Sequence, residues 1–524
     1  MSRLARARGR VVAVAAVFGL TGTAACGLLI GLEDHELYPA EGGTVSESGA
    51  DSTTGGDTGS HTDGGSEASD AQLDAHEAGP VCEASLCGDA CVDLQNDNTN
   101  CGVCGTVCDA AACYHATCGG SAVTAISAGA AHACALLLSG DVLCWGADDK
   151  AQILGPGDAG SCAQGPCRVS PTFIAGLPRA VQISAGGDQT CAVDADGGVW
   201  CWGSNQGAGL GHSPTSDPTC PTADASVPCN AQPTAVTLPG PATSVASGQT
   251  SFACALVGQN VYCWGDDTTA ELGPSGNGTP SAAPQFVLAG ASSVTAGFAH
   301  ACALVDGGPA CWGSNASGEL GHAPGDVGDQ SCPGASFCNA TPQLIPVTGA
   351  FRLHSGRYAS CFETTTGISC LGANNVGQLG LGSSDGSADP VPAPVSIEPG
   401  NLTGEATMDL GYETVCVIAG GRIYCWGDNE TNQTTEVNSG FCGGVPCIVG
   451  GVSFPLGSPT EVHTAPYATY LRTIDGKVWA WGDNGFGQLG SPLDAGAEGG
   501  CDPAGFPPSG TFCNATPVPV QGLP

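Results

Sequence analysis

The chain is poor in positive charge: 12 Lys and Arg stand against 49 Asp and Glu in 524 residues, a formal net charge of −37. Nucleic-acid binding depends on neutralising phosphates, which a surface of this sign repels, so no nucleic-acid partner is expected. No glycine-rich loop ends in Lys-Ser or Lys-Thr, which removes the usual phosphate cradle of nucleotide-binding folds. Helical periodicity is missing, and aromatics make up only 6 % of the residues. What is abundant is glycine, at 83, and cysteine, at 31, with 42 % hydrophobic residues. That balance describes a turn-dense, disulfide-rich chain with enough apolar content for a large core, and it belongs to an oxidising, exported context.

The amino terminus agrees. Arg3, Arg6, Arg8 and Arg10 precede an apolar run from Val11 to Leu20, which is too short to span a bilayer, and small residues follow. Residues 1–25 read as a signal peptide. Thr23 to Cys26 resembles a bacterial lipobox, with Thr23 where leucine is most common, so lipidation of Cys26 stands beside ordinary cleavage after Ala25. Setting Cys26 aside leaves 30 of the 31 cysteines, an even number that can all pair. Diacylglycerol plus an N-acyl chain on Cys26 gives stable membrane anchoring, which one chain alone would not. The expected location is the outer membrane or cell surface, with a secreted form as the alternative. Loss of the four leader arginines leaves 8 of the 12 basic residues against the same 49 acidic ones.

Residues 26–81 are mostly Gly, Ser, Thr, Asp and Glu, too apolar-poor to offset the entropy of ordering, and read as a flexible tether. Residues 82–118 hold eight cysteines: Cys82, Cys87, Cys91, Cys101, Cys104, Cys108, Cys113 and Cys118. A segment this short needs disulfides in place of a core, and its connectivity is not readable. The stretch from Cys87 to Cys108 resembles small cysteine-rich modules of exported proteins from soil-dwelling Gram-negative bacteria. Cys101-Gly-Val-Cys104 suits a zinc knuckle or a redox pair by spacing, but the surrounding cysteines favour structural disulfides. Asp93, Asp97 and Asn100 are either calcium ligands or turn formers.

From residue 119 to 524 one phrase recurs seven times, as in GFAHACALVDGGPACWGSNASGELG from Gly297: two short apolar runs around a turn, then an aromatic-Gly pair and a polar loop. This is a β-hairpin followed by a loop. The marking glycines, Gly146, Gly203, Gly265, Gly313, Gly372, Gly427 and Gly482, lie 48 to 62 residues apart. Units of this size cannot bury both faces alone and must stack, which predicts an all-β closed ring of seven blades.

The copies can be compared with one another. Six hairpins carry two cysteines nine or ten residues apart, and in the seventh Tyr470 and Ala480 replace both together. Loss in step predicts bonded pairs: Cys134 with Cys144, Cys191 with Cys201, Cys254 with Cys263, Cys302 with Cys311, Cys361 with Cys370, and Cys416 with Cys425. Opposed residues on antiparallel strands have the separation a disulfide needs. A second set in the loops behaves alike: Cys162 with Cys167, Cys220 with Cys229, Cys332 with Cys338, Cys442 with Cys447, and Cys501 with Cys513. The third and fifth loops lack both cysteines.

SAGAAHACAL from Ser127, TAGFAHACAL from Thr295, WGSNASGELG from Trp312 and WGDNGFGQLG from Trp481 resemble the repeat of the regulator of chromosome condensation family. The resemblance implies a seven-bladed β-propeller with four-stranded blades. ATPVPVQGLP at the end stops partway through a phrase whose other half begins at Ser121, so the first and last repeats are expected to close the ring by completing one blade between them. The repeat histidine is present at His132 and His300, while Gln189, Phe252, Ala359, Thr414 and Ala468 hold the matching positions. Recurrence there, and at His212 and His322, suits packing or backbone bonding better than catalysis. Trp145, Trp202, Trp264, Trp312, Trp426 and Trp481, with Leu371 in the fifth copy, are expected in the core. A plant ultraviolet receptor of this family uses tryptophans beside arginines, for which this chain is arginine-poor. Asp196, Asp306 and Asp475 recur at hairpin turns and read as structural rather than catalytic. No catalytic residue, cofactor or metal is expected. The leading expectation is a cell-envelope lipoprotein whose propeller loops bind an extracytoplasmic protein or glycan. A passive surface component and a propeller hydrolase or lyase are the alternatives.

Overall fold

A computed structural model describes residues 121–524, apart from 154–159, 221–226, 327, 385–387, 397–406, 435–439, 443–444, 455 and 492–511, together with Cys104 and four short strands of the cysteine-rich segment. The expected signal peptide, Cys26 and the expected tether lie outside the described residues. So do most of segment 82–118, Asp93, Asp97 and Asn100 included, and Cys501. Within that segment Ser85–Cys87 pairs with Ala90–Val92, and Cys113–Tyr114 with Thr117–Cys118. Cys104 is disulfide-bonded.

The repeats form seven separate antiparallel sheets. Blade 1 consists of Val123–Ala128, His132–Leu137, Val142–Ala147 and Pro166–Phe173, paired in that order. The second and third strands are buried along their whole length. A blade packed on both faces has no water-facing side, so its middle strands are continuous apolar runs rather than alternating ones. Blades 1, 4 and 6 differ from the four-stranded expectation. They add a short outer strand, Gly160–Ser161, Gln330–Cys332 or Gly440–Cys442, formed where a loop disulfide pinches the chain into a hairpin.

The glycine after each aromatic has a structural cause. At this position all seven blades shift register against the fourth strand, and φ lies between 99° and 110°. A Cβ on Gly146 would lie 2.5 Å from the Ala131 carbonyl oxygen. Only glycine fits such a bulge.

The core is divided among the blade interfaces. Ala180 and Trp202 of blade 2 pack on Leu136 and Val142 of blade 1, and a comparable cluster fills every interface around the ring. The closing interface joins Val123, Ile126 and Trp145 to Tyr470, Val478, Leu489 and Val520. Ring closure between the first and last repeats is therefore present, but the shared blade is not. Val123–Ala128 belongs wholly to blade 1 and Cys513–Pro519 wholly to blade 7. The phrase that suggested sharing runs from the fourth strand of one blade into the first strand of the next. Its two halves are neighbours across an interface, held by side-chain packing.

Candidate functional site

Antiparallel order places the loops after first and third strands on one face of the ring and the hairpin turns on the other. On the first face, the loops after the first strands are laced by backbone hydrogen bonds between several neighbouring blades. Gln249 N donates to Gly297 O at 3.0 Å, Phe298 N to Gly356 O at 2.9 Å, and Arg357 N to Tyr412 O at 2.9 Å. The approach is close enough to demand glycine: a Cβ on Gly297, Gly356 or Gly411 would meet a neighbouring carbonyl oxygen at 2.3 to 2.5 Å.

This lacing gathers aromatic residues from three consecutive blades around one guanidinium. Arg357 lies 4.1 Å from the ring centroid of Tyr412, 4.6 Å from Tyr358 and 5.6 Å from Phe298. Phe298 meets Tyr412 edge-on with centroids 5.7 Å apart. Cation–π contact of this kind holds an arginine flat against its platform. Arg357 Nη1 is 3.5 Å from Glu413 Oε1, with side-chain exposures of 29 % and 12 %. Beside the pair is a cavity of about 660 Å³, lined by Tyr412, Glu413, Asp428, Glu430 and Tyr467 among others. Tyr467 is 43 % exposed.

The electrostatics are unbalanced. Burial pushes the Asp428 carboxyl up to about 7, and the charges of Glu430 and Glu413 push the same way. Burial also raises Glu413, against the lowering effect of Arg357. Burial raises the Tyr412 phenol to about 12. One cation is set against three carboxylates.

The residues singled out by repetition lie elsewhere, at blade interfaces. His132 Nε2 is 2.7 Å from Thr190 Oγ1 of the next blade, and His300 Nε2 is 2.9 Å from Ser360 Oγ. Both are fully buried, and desolvation lowers each to about 4, so they are neutral. Gln189, at the matching position in blade 2, donates to Phe252 O at 2.8 Å. His212 and His322 are held by Asp217 and Asp329 at 2.9 and 2.8 Å in their loops. Asp475 accepts from Thr473 Oγ1 at 2.5 Å and pairs with Lys477 at the hairpin turn.

The six repeat tryptophans are fully buried, and each indole N–H donates to a carbonyl in the loop of the preceding blade, at 2.6 to 3.1 Å. Where Leu371 replaces tryptophan, Ser360 Oγ donates to the corresponding Glu319 carbonyl at 3.1 Å. The hairpin cysteines are bonded in all six blades that have them. The loops carry Cys162–Cys167, Cys220–Cys229, Cys332–Cys338 and Cys442–Cys447. Cys513 is also disulfide-bonded.

Two histidines not marked by the repeat line the central channel with Asp409. His354 Nε2 is 2.9 Å from Glu363 Oε1, and His463 Nε2 is 3.4 Å from Glu461 Oε1. Arg472 completes the second group at 2.7 Å from Glu461 Oε2. The first contact lies within blade 5, whereas His463 of blade 7 also stands 3.9 Å from Asp409 of blade 6.

Stretches 123–152, 180–207 and 467–488, and a further one at 196–255, match the regulator of chromosome condensation (RCC1) repeat. The chain carries RCC1 repeats, and they build a seven-bladed β-propeller. The ultraviolet-B receptor UVR8 of Arabidopsis thaliana is 29 % identical over 385 residues, covering 70 % of this propeller chain and 78 % of the receptor. Human E3 ubiquitin-protein ligase HERC2 is 28 % identical over 371 residues, but the match spans 7 % of that protein. Among solved structures, human WBSCR16 superposes with a TM-score of 0.53 at 16 % identity, covering 73 % of this chain and 94 % of that one. Prp20p of Saccharomyces cerevisiae gives 0.51 at 17 % identity, with 66 % and 80 % covered. Identities this low speak to the RCC1-type fold alone.

Proposed function

We propose that this RCC1-repeat propeller is a non-catalytic protein-binding platform that docks its partner on the face bearing Arg357. The observation that carries the reading is the convergence of Phe298, Tyr358 and Tyr412 on that guanidinium, beside the exposed ring of Tyr467. Aromatic residues and arginine around a cavity are the composition that concentrates binding energy at protein interfaces. Such a patch is not needed for blade packing, which the tryptophans and cystines accomplish elsewhere. Support from relatives is at the level of ligand class: Prp20p has binding properties to Gsp1p and histones. Export and lipidation at Cys26 would place the platform at the cell envelope, with residues 26–81 as its tether.

The test is affinity capture with the oxidised full chain against envelope and culture-fluid proteins of the native cell, comparing wild type with Y467A. Saturable retention of one protein by wild type, reduced at least about tenfold by Y467A, is the expected result for an interface aromatic. Equal retention by both, or retention of a glycan in place of a protein, contradicts the reading.

A further inference from the structure

Building on the platform reading, we infer that the cavity between Tyr412 and Tyr467 is a recognition pocket for a lysine or arginine side chain carried by a basic protein partner. Three features of the site meet in that conclusion. The first is its charge. Glu413, Asp428 and Glu430 line the cavity, and Arg357 is the only cation among its described lining residues. That cation is already committed, over the Tyr412 ring at 4.1 Å and within 3.5 Å of Glu413. The carboxylates are left repelling one another: Glu430 and Glu413 both raise the Asp428 carboxyl in addition to its burial, and Glu430 raises Glu413. A cation entering the cavity stabilises all three.

The second feature is the wall. Tyr412, Tyr358 and Tyr467 present aromatic surface in the same cavity. A long alkyl stem ending in a cation buries its methylenes against such surface while the head reaches the carboxylates. A hydrated metal ion gains nothing from tyrosine faces. The third is the field around the site. A chain of net charge −37 attracts a basic partner from a distance, and the pocket supplies the short-range contact that fixes its position.

The test is fluorescence anisotropy of the oxidised full chain with a labelled peptide, Gly-Ser-Gly-Lys-Ala-Lys-Gly-Ser-Gly, and its doubly Nε-acetylated counterpart. Four proteins are compared: wild type, E430Q, Y467A and D306N. Asp306 is exposed at a hairpin turn on the opposite face, so D306N removes the same unit of charge away from the pocket. Acetylation is expected to weaken binding about tenfold, and E430Q and Y467A about fivefold or more, with D306N within about twofold of wild type. No binding of the lysine peptide, equal binding of the acetylated peptide, or equal losses from E430Q and D306N would overturn the inference. The last result would assign the attraction to the general field. The two readings fail separately. A captured partner that is lost by Y467A and kept by E430Q leaves the platform standing without the cation pocket. A partner kept by both variants removes docking at this face.

Discussion

Trp145 Nε1 donates a 2.8 Å hydrogen bond to the carbonyl oxygen of Gln488, 343 residues further along the chain. The same contact joins Trp202 to Gln152 and Trp481 to Gln433 in neighbouring blades, so the ring closes by repeating an ordinary interface at its seam. Removing that indole should loosen the seam. W145A is expected to cost about 3–5 kcal/mol by the usual scale for a buried large aromatic, and W145F about 1 kcal/mol for the lost bond. Urea unfolding of the oxidised chain measures both. A W145A chain as stable as wild type would mean that the seam is held by something else.

Tyr470 and Ala480 face each other at the register where Cys416 faces Cys425 one blade earlier. Y470C/A480C should therefore form a seventh hairpin disulfide, detectable by non-reducing peptide mapping. It should not raise stability by the roughly 2–4 kcal/mol typical of such a bond. Tyr470 stacks edge-on against Trp145 at 6.2 Å and donates to Gln488 O at 2.9 Å, and both contacts would be lost. A clear gain in melting temperature would contradict the role given to Tyr470.

Glu271 occupies the repeat position held by Gln152, Gln378, Gln433 and Gln488, and like them it accepts a backbone N–H from its own loop. Burial pushes its carboxyl up to about 8, from an ordinary 4.5. A carboxyl raised in the folded state contributes stability that is complete below 4.5 and is lost as pH rises through about 8. E271Q should abolish that loss and stabilise the protein above pH 8 by on the order of 5 kcal/mol. Melting temperature against pH measures it, and parallel curves for the two proteins would refute the assignment.

His463 has the same sign for a different reason. Burial lowers its imidazole, but the hydrogen bond to Glu461 and the charges of Asp409 and Glu461 outweigh burial and raise it above 6.5. The network's contribution is complete below pH 6.5 and is lost as pH rises through the raised folded value. H463N should lessen the decline of melting temperature in the window above pH 6.5, leaving the part due to Glu271. A wild-type decline that persists unchanged in H463N would place its source in another group.

The blades were legible because the chain repeats itself. Loss of Cys at both 470 and 480 pointed to bonded pairs, and recurrence of histidine pointed away from catalysis. Two things were hidden. The seam was misread because the repeated phrase crosses a blade boundary, which a linear pattern does not mark. The aromatic patch was invisible to a fixed register: counted back from the repeat-histidine position, Phe298 and Tyr412 stand two residues before it, and Tyr358 and Tyr467 one. Ring curvature brings the alternating offsets together, with Arg357 at the centre.

The measurement that bears most directly on a binding face is amide hydrogen exchange of the full chain with and without its captured partner. Slowed exchange confined to the loops around Phe298, Arg357, Tyr412 and Tyr467, and to the adjoining loops near Asn375 and Glu430, is the predicted result. Slowed exchange at the hairpin turns around Asp196, Asp306 and Asp475, with the Arg357 loops unchanged, would put the partner on the opposite face and contradict the docking site.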